Sequence, residues 1–333
     1  MKKLVVGFIA LLLIIAVVAP VFSAGTAEKA KAKKQLTFAF VPGVTDPFYY
    51  TMERGARKKA KELGVKLIVS EYPKSWGPEV QVPILESVVA RGGIDLVIIA
   101  PTSVDALIEP LKKIYDQGIE VITVDTYIGD GDYSKKSNYS FPLAYIGTDN
   151  RLGGKKVAEH LAKMVGEKGK VYINTTNPDV SSVMNRVKGF EEGIAEFPNM
   201  KVVGVDYNMD VQQKAQEQTL AALQKYPDIV GIFGTNVYSA QGAYQAVVNA
   251  GLTGAVKIAT WDATVDLINA LKAGKVDLVL AQKPAEMGSL AVEWGYKYFT
   301  QHVKVPKKIT PGFVFFTREN VNNPDMQQYI YKK

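Results

Sequence analysis

Polar side chains recur in this sequence directly after short apolar segments of the kind that form buried strands. They are Asp125 after 121–124, Asn236 after 229–233, Asp262 after 257–260 and Gln282 after 277–281. Because the carboxyl ends of parallel strands meet at one edge of a sheet, where open α/β sheets bind their ligands, we expect these side chains to converge. A single acid at a strand end is usually a helix cap or a turn residue, so it is the repetition that favours a binding site.

The segment 36–50, LTFAFVPGVTDPFYY, predicts the first strand, a turn and the start of a helix. Asp46 precedes Pro47, as expected of a helix cap that is followed by a proline in the first turn. Phe48 and Tyr49 then lie at the carboxyl end of the first strand, where they can face a ligand. The alternative is that the two rings only staple the helix to the core.

The donors and acceptors of this set indicate the chemistry of the ligand. Carboxylates accept hydrogen bonds from hydroxyl pairs, amides both donate and accept, and an arginine donates two bonds in parallel. Arg186, which is predicted to precede a helix over 187–197, supplies the guanidinium, and Trp261 joins the two rings of the first loop. Aromatic rings cover the apolar faces of a flat ring. The set therefore favours a small polyhydroxylated ring over a phosphate or a peptide.

Strands and helices alternate along the chain, which predicts doubly wound parallel sheets. Since two sheets of this size cannot share one core, we expect two similar α/β lobes, each a parallel sheet flanked by helices. A last helix over 286–299 and a strand over 313–316 must pack in these lobes. The predicted strands before them are 36–41, 65–69, 96–100, 121–124, 144–147, 171–174, 202–205, 229–233, 257–260 and 277–281.

The start of the chain predicts a secretory signal peptide over residues 1–24. A basic start precedes an apolar core over 4–18 and a small-residue site over 23–25. An uncleaved membrane anchor is the alternative, which the short apolar run disfavours. The sequence has no Cys, so an exported form must be held by its core and cannot be tethered through an acylated thiol. We therefore expect a free protein in a bacterial periplasm.

The net charge of +7 does not indicate nucleic-acid binding. Two charges lie on Lys2 and Lys3 and three on the segment 28–34, which leaves +2 from Gln35 onward. The Lys-rich stretch 25–34 is typical of a solvated linker, and no aromatic and basic stripe accompanies it. The sequence therefore predicts no nucleic-acid partner.

Residue sets for catalysis and metal binding are missing from the sequence. His160 and His302 lie on separate predicted helices, and there is no Cys nucleophile, G-x-S-x-G elbow or P-loop. Gly153-Gly154 stands at a helix start, where close packing is favoured over phosphate binding. We therefore expect a protein that is not an enzyme and that uses neither a cofactor nor a metal ion.

Nine short segments are characteristic when they are taken together, although each alone is weakly specific. They are TDPFYY, VVARGGIDLVIIAPTS, VITVD, YIGTDN, NRVKGF, YPDIVGIFGTN, TWDATVD, AQKPAEMG and TRENV. Through them the chain, from about Gln35 to Val321, resembles the periplasmic sugar-binding proteins of the ribose, galactose and inositol type, which serve ATP-driven importers.

The resemblance implies the type I periplasmic binding protein fold, in which two Rossmann-like lobes are joined by three crossover strands and close over a ligand by a hinge motion. The crossings are then expected near 146–149, at 282–283 and near 310–312. The N-terminal lobe would comprise 35–147 plus 283–311, and the C-terminal lobe 148–282 plus 312–333. The resemblance also implies a monomer that delivers a small-molecule sugar or polyol to the membrane permease of an ABC importer.

Ten residues resemble the positions that contact sugar in this family, and the strand ends had already indicated most of them. They are Asp46, Phe48, Tyr49, Asp125, Thr126, Arg186, Met209, Asn236, Asp262 and Gln282. By this resemblance the two rings stack on the sugar. Its hydroxyls are bound by Asp125, Arg186, Asn236 and Asp262.

Three positions depart from the ribose binders of this family, which have Asn in place of Asp46, Arg in place of Thr126 and an aromatic residue near Met209. Three acids then stand against Arg186 alone. Such a site needs a ligand with many hydroxyl donors, or carboxyl groups with a shifted pKa. The sequence therefore favours a hexose or a cyclitol such as myo-inositol over ribose.

Trp76, in the loop 71–78, is a further candidate for the mouth of the pocket, and a surface staple or a transporter contact is its alternative. A ligand-sensing receptor for chemotaxis or signalling, reading a sugar or an autoinducer, would use the same lobes. The sequence does not separate it from a transport protein. A sugar-responsive repressor would need a DNA-reading helix pair where this chain has an export signal.

Overall fold

The computed structural model describes residues 34–332, so the predicted signal peptide and all of the Lys-rich segment except Lys34 lie outside the described residues. Within the described range, strands and helices alternate as predicted. The strands are β1 Thr37–Val41, β2 Lys66–Val69, β3 Leu96–Ile99, β4 Glu120–Val124, β5 Ala144–Ile146, β6 Lys168–Thr175, β7 Asn199–Tyr207, β8 Ile229–Gly234, β9 Lys257–Trp261, β10 Leu278–Ala281, β11 Lys308–Ile309 and β12 Val314–Phe316. The helices are α1 Pro47–Leu63, α2 Pro78–Val89, α3 Ile108–Asp116, α4 Asn150–Met164, α5 Ser181–Ile194, α6 Gln212–Lys225, α7 Val237–Asn249, α8 Val265–Lys272 and α9 Pro284–Gln301, with a 3₁₀ helix over Pro324–Tyr329.

The described strands form two six-stranded sheets, which define two lobes. The sheet of the first lobe has the order β11-β5-β4-β3-β1-β2 and is parallel throughout. The sheet of the second lobe has the order β12-β10-β9-β8-β6-β7, and only β12 runs antiparallel to its neighbour. The chain passes between the sheets after β5, after β10 and after β11. The predicted class of fold is present, and the residue limits given above for the lobes stay a prediction.

Strand β1 illustrates why each sheet lies between two layers of helices. Phe38 and Phe40 pack with side chains of α1 and α9, whereas Ala39 and Val41 pack on the opposite face with α2 and α3. All four are fully buried. Burying one phenylalanine side chain contributes about 2–3 kcal/mol, and burial on both faces is what a parallel sheet with helical crossovers requires.

Helices α4 and α5 pack closely in the second lobe. A Cβ at Gly154 would overlap the carbonyl oxygen of Arg186, and a Cβ at Gly189 would overlap the carbonyl oxygen of Arg151. A Cβ at Gly153 would overlap the ring of Trp261. The prediction that Gly153-Gly154 serves close packing is therefore confirmed.

Two element boundaries differ from the prediction in ways that matter for the site. Helix α5 begins at Ser181, so Arg186 lies in its second turn and the prediction that it precedes the helix is wrong. The first turn begins with two serines, but Val183 already shares the apolar spacing with Val187, so the prediction began the helix too late. Strand β7 extends to Tyr207, beyond the predicted end at 205, because partly buried polar residues continue it.

Among residues 34–332, no helix combines the length and the apolar character that crossing a membrane requires.

Candidate ligand-binding site

A partly open cavity lies between the two lobes and encloses about 410 Å³ of space, which includes open solvent at its mouth. Every lining residue follows the carboxyl end of a strand, either in the loop or in the first turns of the next helix. The lining residues are Val44, Asp46, Phe48, Tyr49, Trp76, Asp125, Thr176, Val180, Ser182, Val183, Arg186, Asp210, Asn236, Asp262 and Gln282.

Eight of the ten predicted site residues are therefore brought together at one cavity, and their contact with a ligand stays a prediction. The other two, Thr126 and Met209, do not line it. Thr126 is buried, and its hydroxyl donates to the carbonyl oxygen of Pro101 at 2.7 Å. Met209 is 50% exposed on the surface. The cavity gives no support to these two residues as ligand contacts, and their role stays a prediction.

The chain conformation explains why Asp210 takes the place that was predicted for Met209. Both residues have left-handed backbones, with φ of 56° and 62°. Two such residues in succession turn the loop sharply, since this region is disfavoured for side chains with a Cβ. The turn exposes Met209 and brings the carboxyl group of Asp210 to the cavity, where it accepts a hydrogen bond from Asn236 at 2.6 Å.

Arg186 lies between one carboxylate from each lobe. Its guanidinium nitrogens are 3.9 Å from Asp125 Oδ1 and 3.9 Å from Asp262 Oδ2. All three side chains are buried. At this distance the charges attract one another in a poorly screened environment, yet the carboxylate oxygens remain outside hydrogen-bond length of the guanidinium.

The guanidinium is held from behind by the second lobe. Arg186 Nε donates to Asn150 Oδ1 at 2.8 Å, and Nη1 donates to the carbonyl oxygen of Thr235 at 2.8 Å. The ring of Trp261 lies 4.4 Å from the guanidinium carbon. Trp261 is fully buried and does not line the cavity, so its predicted place among the cavity aromatics is wrong. Its ring supports Arg186 instead, through a cation–π contact.

Three aromatic side chains of the first lobe line the cavity. The rings of Phe48 and Tyr49 meet edge to face, with centroids 5.1 Å apart. The Tyr49 hydroxyl donates to Asp125 Oδ2 at 2.8 Å. Trp76 is partly buried, and its indole nitrogen donates to the carbonyl oxygen of Thr102 at 2.9 Å. Its ring lines the cavity, which favours the pocket mouth over the surface staple as the role of this residue.

Asp46 and Asn236 have the same two roles, one in each lobe. The side chain of Asp46 accepts from the Tyr49 backbone N–H at 3.1 Å and caps α1. The side chain of Asn236 accepts from the Ser239 backbone N–H at 3.0 Å and caps α7. Each residue is thus a helix cap and a lining residue at once, because the strand end and the helix start share one edge of the sheet.

Four carboxyl groups share the cavity with one guanidinium, counted over the described residues that line it. Burial raises the pKa of Asp125 to about 6, against the opposing charge of Arg186. Burial also raises the pKa of Asp210 to about 6, and the negative charge of Asp262 adds to this. Burial, followed by the charges of Asp262 and Asp210, raises the pKa of Asp46 well above its ordinary value, and burial raises the pKa of Asp262 as well. The carboxyl groups therefore resist ionising together.

The lobes touch on both sides of the cavity. The Tyr127 backbone N–H donates to Ser181 Oγ at 3.2 Å, and Asn185 Nδ2 donates to the Tyr127 hydroxyl at 2.8 Å. On another side, the Tyr238 hydroxyl donates to the carbonyl oxygen of Thr45 at 3.4 Å. These contacts bring the two walls of the cavity together.

Sequence reasoning missed several lining residues. Thr176 and Asp210 follow strands, so the same strand-end argument applies to them once the true ends of β6 and β7 are known. Val180, Ser182 and Val183 belong to the first turn of α5 and its approach, which was predicted to be loop. Val44 lies in the first loop and carries no polar signal.

No group of His, Cys, Asp or Glu side chains within the described part of the chain has the arrangement to hold a metal ion.

This arrangement, two α/β lobes around one cavity lined by both, defines the class of two-lobed ligand-binding proteins. The family described as periplasmic binding protein domain matches residues 38–301, and the chain belongs to this family. The resemblance inferred from the nine segments is thereby confirmed.

Known proteins of similar sequence are binding proteins for import. The ribose import binding protein of Haemophilus influenzae is 30% identical over 271 residues, which cover 80% of this chain and 87% of the relative. The D-allose-binding periplasmic protein of Escherichia coli is 28% identical over 251 residues, covering 75% and 80%. Since these relatives are binding proteins, the prediction that the chain is not an enzyme is confirmed.

Solved structures of similar fold carry sugars. An ABC transporter solute-binding protein from Agrobacterium vitis, bound with α-D-tagatopyranose, is 38% identical with a TM-score of 0.87, covering 90% of this chain and 100% of the other. A second solute-binding protein from Agrobacterium vitis, with bound D-fucose, is 26% identical with a TM-score of 0.81, covering 89% and 100%. These similarities confirm the predicted fold.

Proposed function

We propose that this protein captures a neutral six-membered polyhydroxylated ring, a hexopyranose or a cyclitol, between its lobes and delivers it to an ABC importer. The observation that carries the proposal is the cavity, to which each lobe contributes a buried carboxylate on either side of Arg186. Similar proteins bind D-tagatopyranose, D-fucose and D-allose, all of them six-carbon sugars.

The polar groups of the cavity favour a ligand with many hydroxyl donors. Four carboxyl groups and the amide oxygens of Asn236 and Gln282 offer acceptors, whereas the charged donor is Arg186. A sugar hydroxyl donates one bond and accepts others, so it can meet both kinds of partner. Phe48, with Trp76 at the same wall, offers an apolar face for the C–H side of a ring. We assign the hydroxyl contacts to Asp125, Arg186, Asn236, Asp262, Asp46, Asp210 and Gln282.

Ribose is disfavoured by the departures at Asp46 and Thr126. Thr126 cannot replace the arginine of ribose binders, because it does not line the cavity and its hydroxyl donates to the carbonyl oxygen of Pro101. The carboxyl groups of the cavity offer more hydrogen-bond acceptors than the hydroxyl groups of a pentose can satisfy. This is why a hexose or a cyclitol such as myo-inositol is proposed ahead of it.

Titration calorimetry with D-tagatose, D-fucose, D-allose, D-ribose, D-arabinose and myo-inositol tests this proposal. We expect one tight ligand among the six-carbon compounds and weaker binding of the pentoses. Mass spectrometry of small molecules released from the purified protein identifies a ligand outside this panel. Absence of binding to every sugar and cyclitol, with no carbohydrate released, would overturn the proposal.

We further propose that the lobes close by a hinge motion on ligand binding. The hydrogen bonds of Tyr127 with Ser181 and Asn185, and of Tyr238 with Thr45, join the two lobes and must break when the lobes separate. Solution scattering should give a smaller radius of gyration with ligand than without it. An unchanged radius would contradict capture between the lobes.

The protein is proposed to act as a free monomer in the periplasm, after removal of residues 1–24, with the membrane permease of the importer as its partner. Intact mass spectrometry of the exported protein and its molar mass by light scattering test the first two statements. A retained signal sequence or a stable dimer would contradict them.

A further inference from the structure

The segment 330–332 contacts both lobes. In the second lobe, the Tyr331 backbone N–H donates to the carbonyl oxygen of Ala263 at 2.8 Å. In the first lobe, the carbonyl oxygen of Lys332 accepts from Arg54 at 2.5 Å and from the Thr51 hydroxyl at 3.3 Å. Arg54 and Thr51 both belong to α1, the helix whose first turn carries Phe48. The segment therefore joins the lobes in addition to the three crossings.

The side chain of Tyr331 reaches three lining residues without lining the cavity itself. Its hydroxyl accepts from the Gln282 backbone N–H at 2.7 Å and donates to Asp262 Oδ1 at 3.3 Å. Its ring meets the ring of Phe48 at 5.8 Å and 66°. Only 1% of Tyr331 is exposed, so none of these three contacts is exchanged readily for water.

The carboxylate of Asp262 is oriented through its Oδ1 atom. Gln282 Nε2 donates to this oxygen at 2.8 Å, and the Tyr331 hydroxyl is the second donor. Two donors on one oxygen fix the plane of the carboxylate and leave Oδ2 directed toward Arg186, 3.9 Å away. The orientation of Asp262 thus depends on Tyr331, whose side chain does not line the cavity.

We propose that Tyr331 is a positioning residue for the ligand site, because one buried side chain fixes the Asp262 carboxylate of the second lobe and the Phe48 ring of the first. This inference rests on the proposed function, since it concerns the same ligand. It adds that the relative position of the two walls is set by segment 330–332 and not by the crossings alone.

Calorimetry with D-tagatose and D-allose tests the inference in the full protein. Tyr331→Phe keeps the ring on Phe48 and removes the hydroxyl, and it should weaken binding about 10- to 100-fold, the effect of one hydrogen bond to a charged group. Tyr329→Phe, two residues earlier at the end of the 3₁₀ helix and beside Lys283, is the matched control and should bind as the wild type does.

A double-mutant cycle separates positioning from a merely structural role. If Tyr331 acts through Asp262, then Tyr331→Phe causes no further loss of affinity in an Asp262→Asn background. Additive losses, or full affinity in Tyr331→Phe, would overturn the inference. Should Tyr331→Phe fold poorly, Arg54→Ala tests the same point from the first lobe, since it releases Lys332 and should speed dissociation a few-fold, about 2- to 5-fold. Unchanged dissociation would count equally against it.

The two proposals fail in different ways. If the wild-type protein binds none of the sugars, the proposed function fails and the inference falls with it. If the wild type binds and the Tyr331→Phe variant binds equally well, only the inference fails.

Discussion

Asp125 in the first lobe and Asp262 in the second show how the same backbone device is used for two different carboxylates. Each stands one residue beyond the fourth strand of its lobe, with a left-handed backbone at φ of 61° and 74°. The backbone N–H of each donates to a carbonyl oxygen near the end of the neighbouring strand. Asp125 donates to Ile146 at 2.9 Å, and Asp262 donates to Leu280 at 2.8 Å. Their side chains therefore leave the sheets in the same way and face each other across Arg186.

The two carboxylates differ in how their oxygens are satisfied. Asp262 Oδ1 accepts from Gln282 and Tyr331, whereas Asp125 accepts at Oδ2 from Tyr49 and has no donor on Oδ1 within the described residues. The end of the strand determines the position of each acid, and the number of donors from neighbouring residues determines how strongly its carboxylate is oriented. We therefore expect Asp262 to meet a ligand in a preset orientation and Asp125 to use Oδ1 as the acceptor of a ligand hydroxyl.

The largest effect is expected from removing the charge that the two acids share. Arg186→Met leaves buried carboxylates without a counter-ion and should lower the free energy of unfolding at pH 7 by about 3–5 kcal/mol, as for other broken buried ion pairs. Urea unfolding measures it. Arg151→Met, which breaks an exposed ion pair on the adjacent helix, is the control and should change little. Equal stability of the two variants would show that the buried charges are already neutral at pH 7.

The comparison of the two acids is sharpest in ligand affinity. Asp262→Ala should cost about 3 kcal/mol of binding free energy and Asp125→Ala about 2 kcal/mol, because the loss of Asp262 also releases Gln282 and Tyr331. Calorimetry with the tightest sugar of the panel measures both. A larger loss for Asp125 would reverse our ranking, and undiminished affinity for Asp262→Ala would remove that residue from the site.

The raised pKa of Asp125 predicts a pH dependence of stability in the unliganded protein. Because the native protein holds this proton more tightly than the unfolded chain, the stabilisation is present below about pH 4 and is lost as the pH rises through about 6. The free energy of unfolding should fall by about 3 kcal/mol across this range. Urea unfolding at several pH values measures the slope.

Asparagine variants test the source of that slope. Asp125→Asn should flatten the profile, and Asp210→Asn should change it in the same direction, since burial also raises the pKa of Asp210 to about 6. A slope that is unchanged in both variants would assign the effect to other groups.

The smallest effect concerns the one side chain that orients Asp125. Tyr49→Phe removes the donor to Oδ2 and should weaken ligand binding by about 1 kcal/mol. Tyr50→Phe is the matched control, since its ring stacks on Tyr72 away from the cavity. Identical affinity in the two variants would mean that Asp125 is held without Tyr49.

Topology explains how much of the site could be predicted from the sequence. Asp46, Asp125, Asn236, Asp262 and Gln282 were found because parallel strands bring their carboxyl ends to one edge, whatever the details of packing. Alternating buried strands and amphipathic helices predicted the two sheets for the same reason, since periodicity reports which faces are buried.

The residues that were misplaced depend on rotations that a sequence pattern does not report. Thr126 is adjacent to Asp125, but the left-handed backbone of Asp125 turns the chain between them. The Asp125 side chain lines the cavity, whereas the Thr126 hydroxyl donates to Pro101. Trp261 is adjacent to Asp262, but its side chain lies on the core side of the strand, where its ring contacts the guanidinium of Arg186. Asp210 was missed because two left-handed residues exchange it with Met209. One residue of register along a strand or turn changes the face on which a side chain lies.

The close packing of α4 on α5 has a consequence for how affinity can change. A methyl group at residue 154 would have to push the main chain at Arg186, because Gly154 abuts the carbonyl oxygen of that residue. The guanidinium would then move together with its helix, although nothing at the cavity wall had been altered. We therefore expect that ligand affinity can be changed by the size of the side chain at residue 154, on the side of the helix that faces away from the cavity and does not contact the ligand.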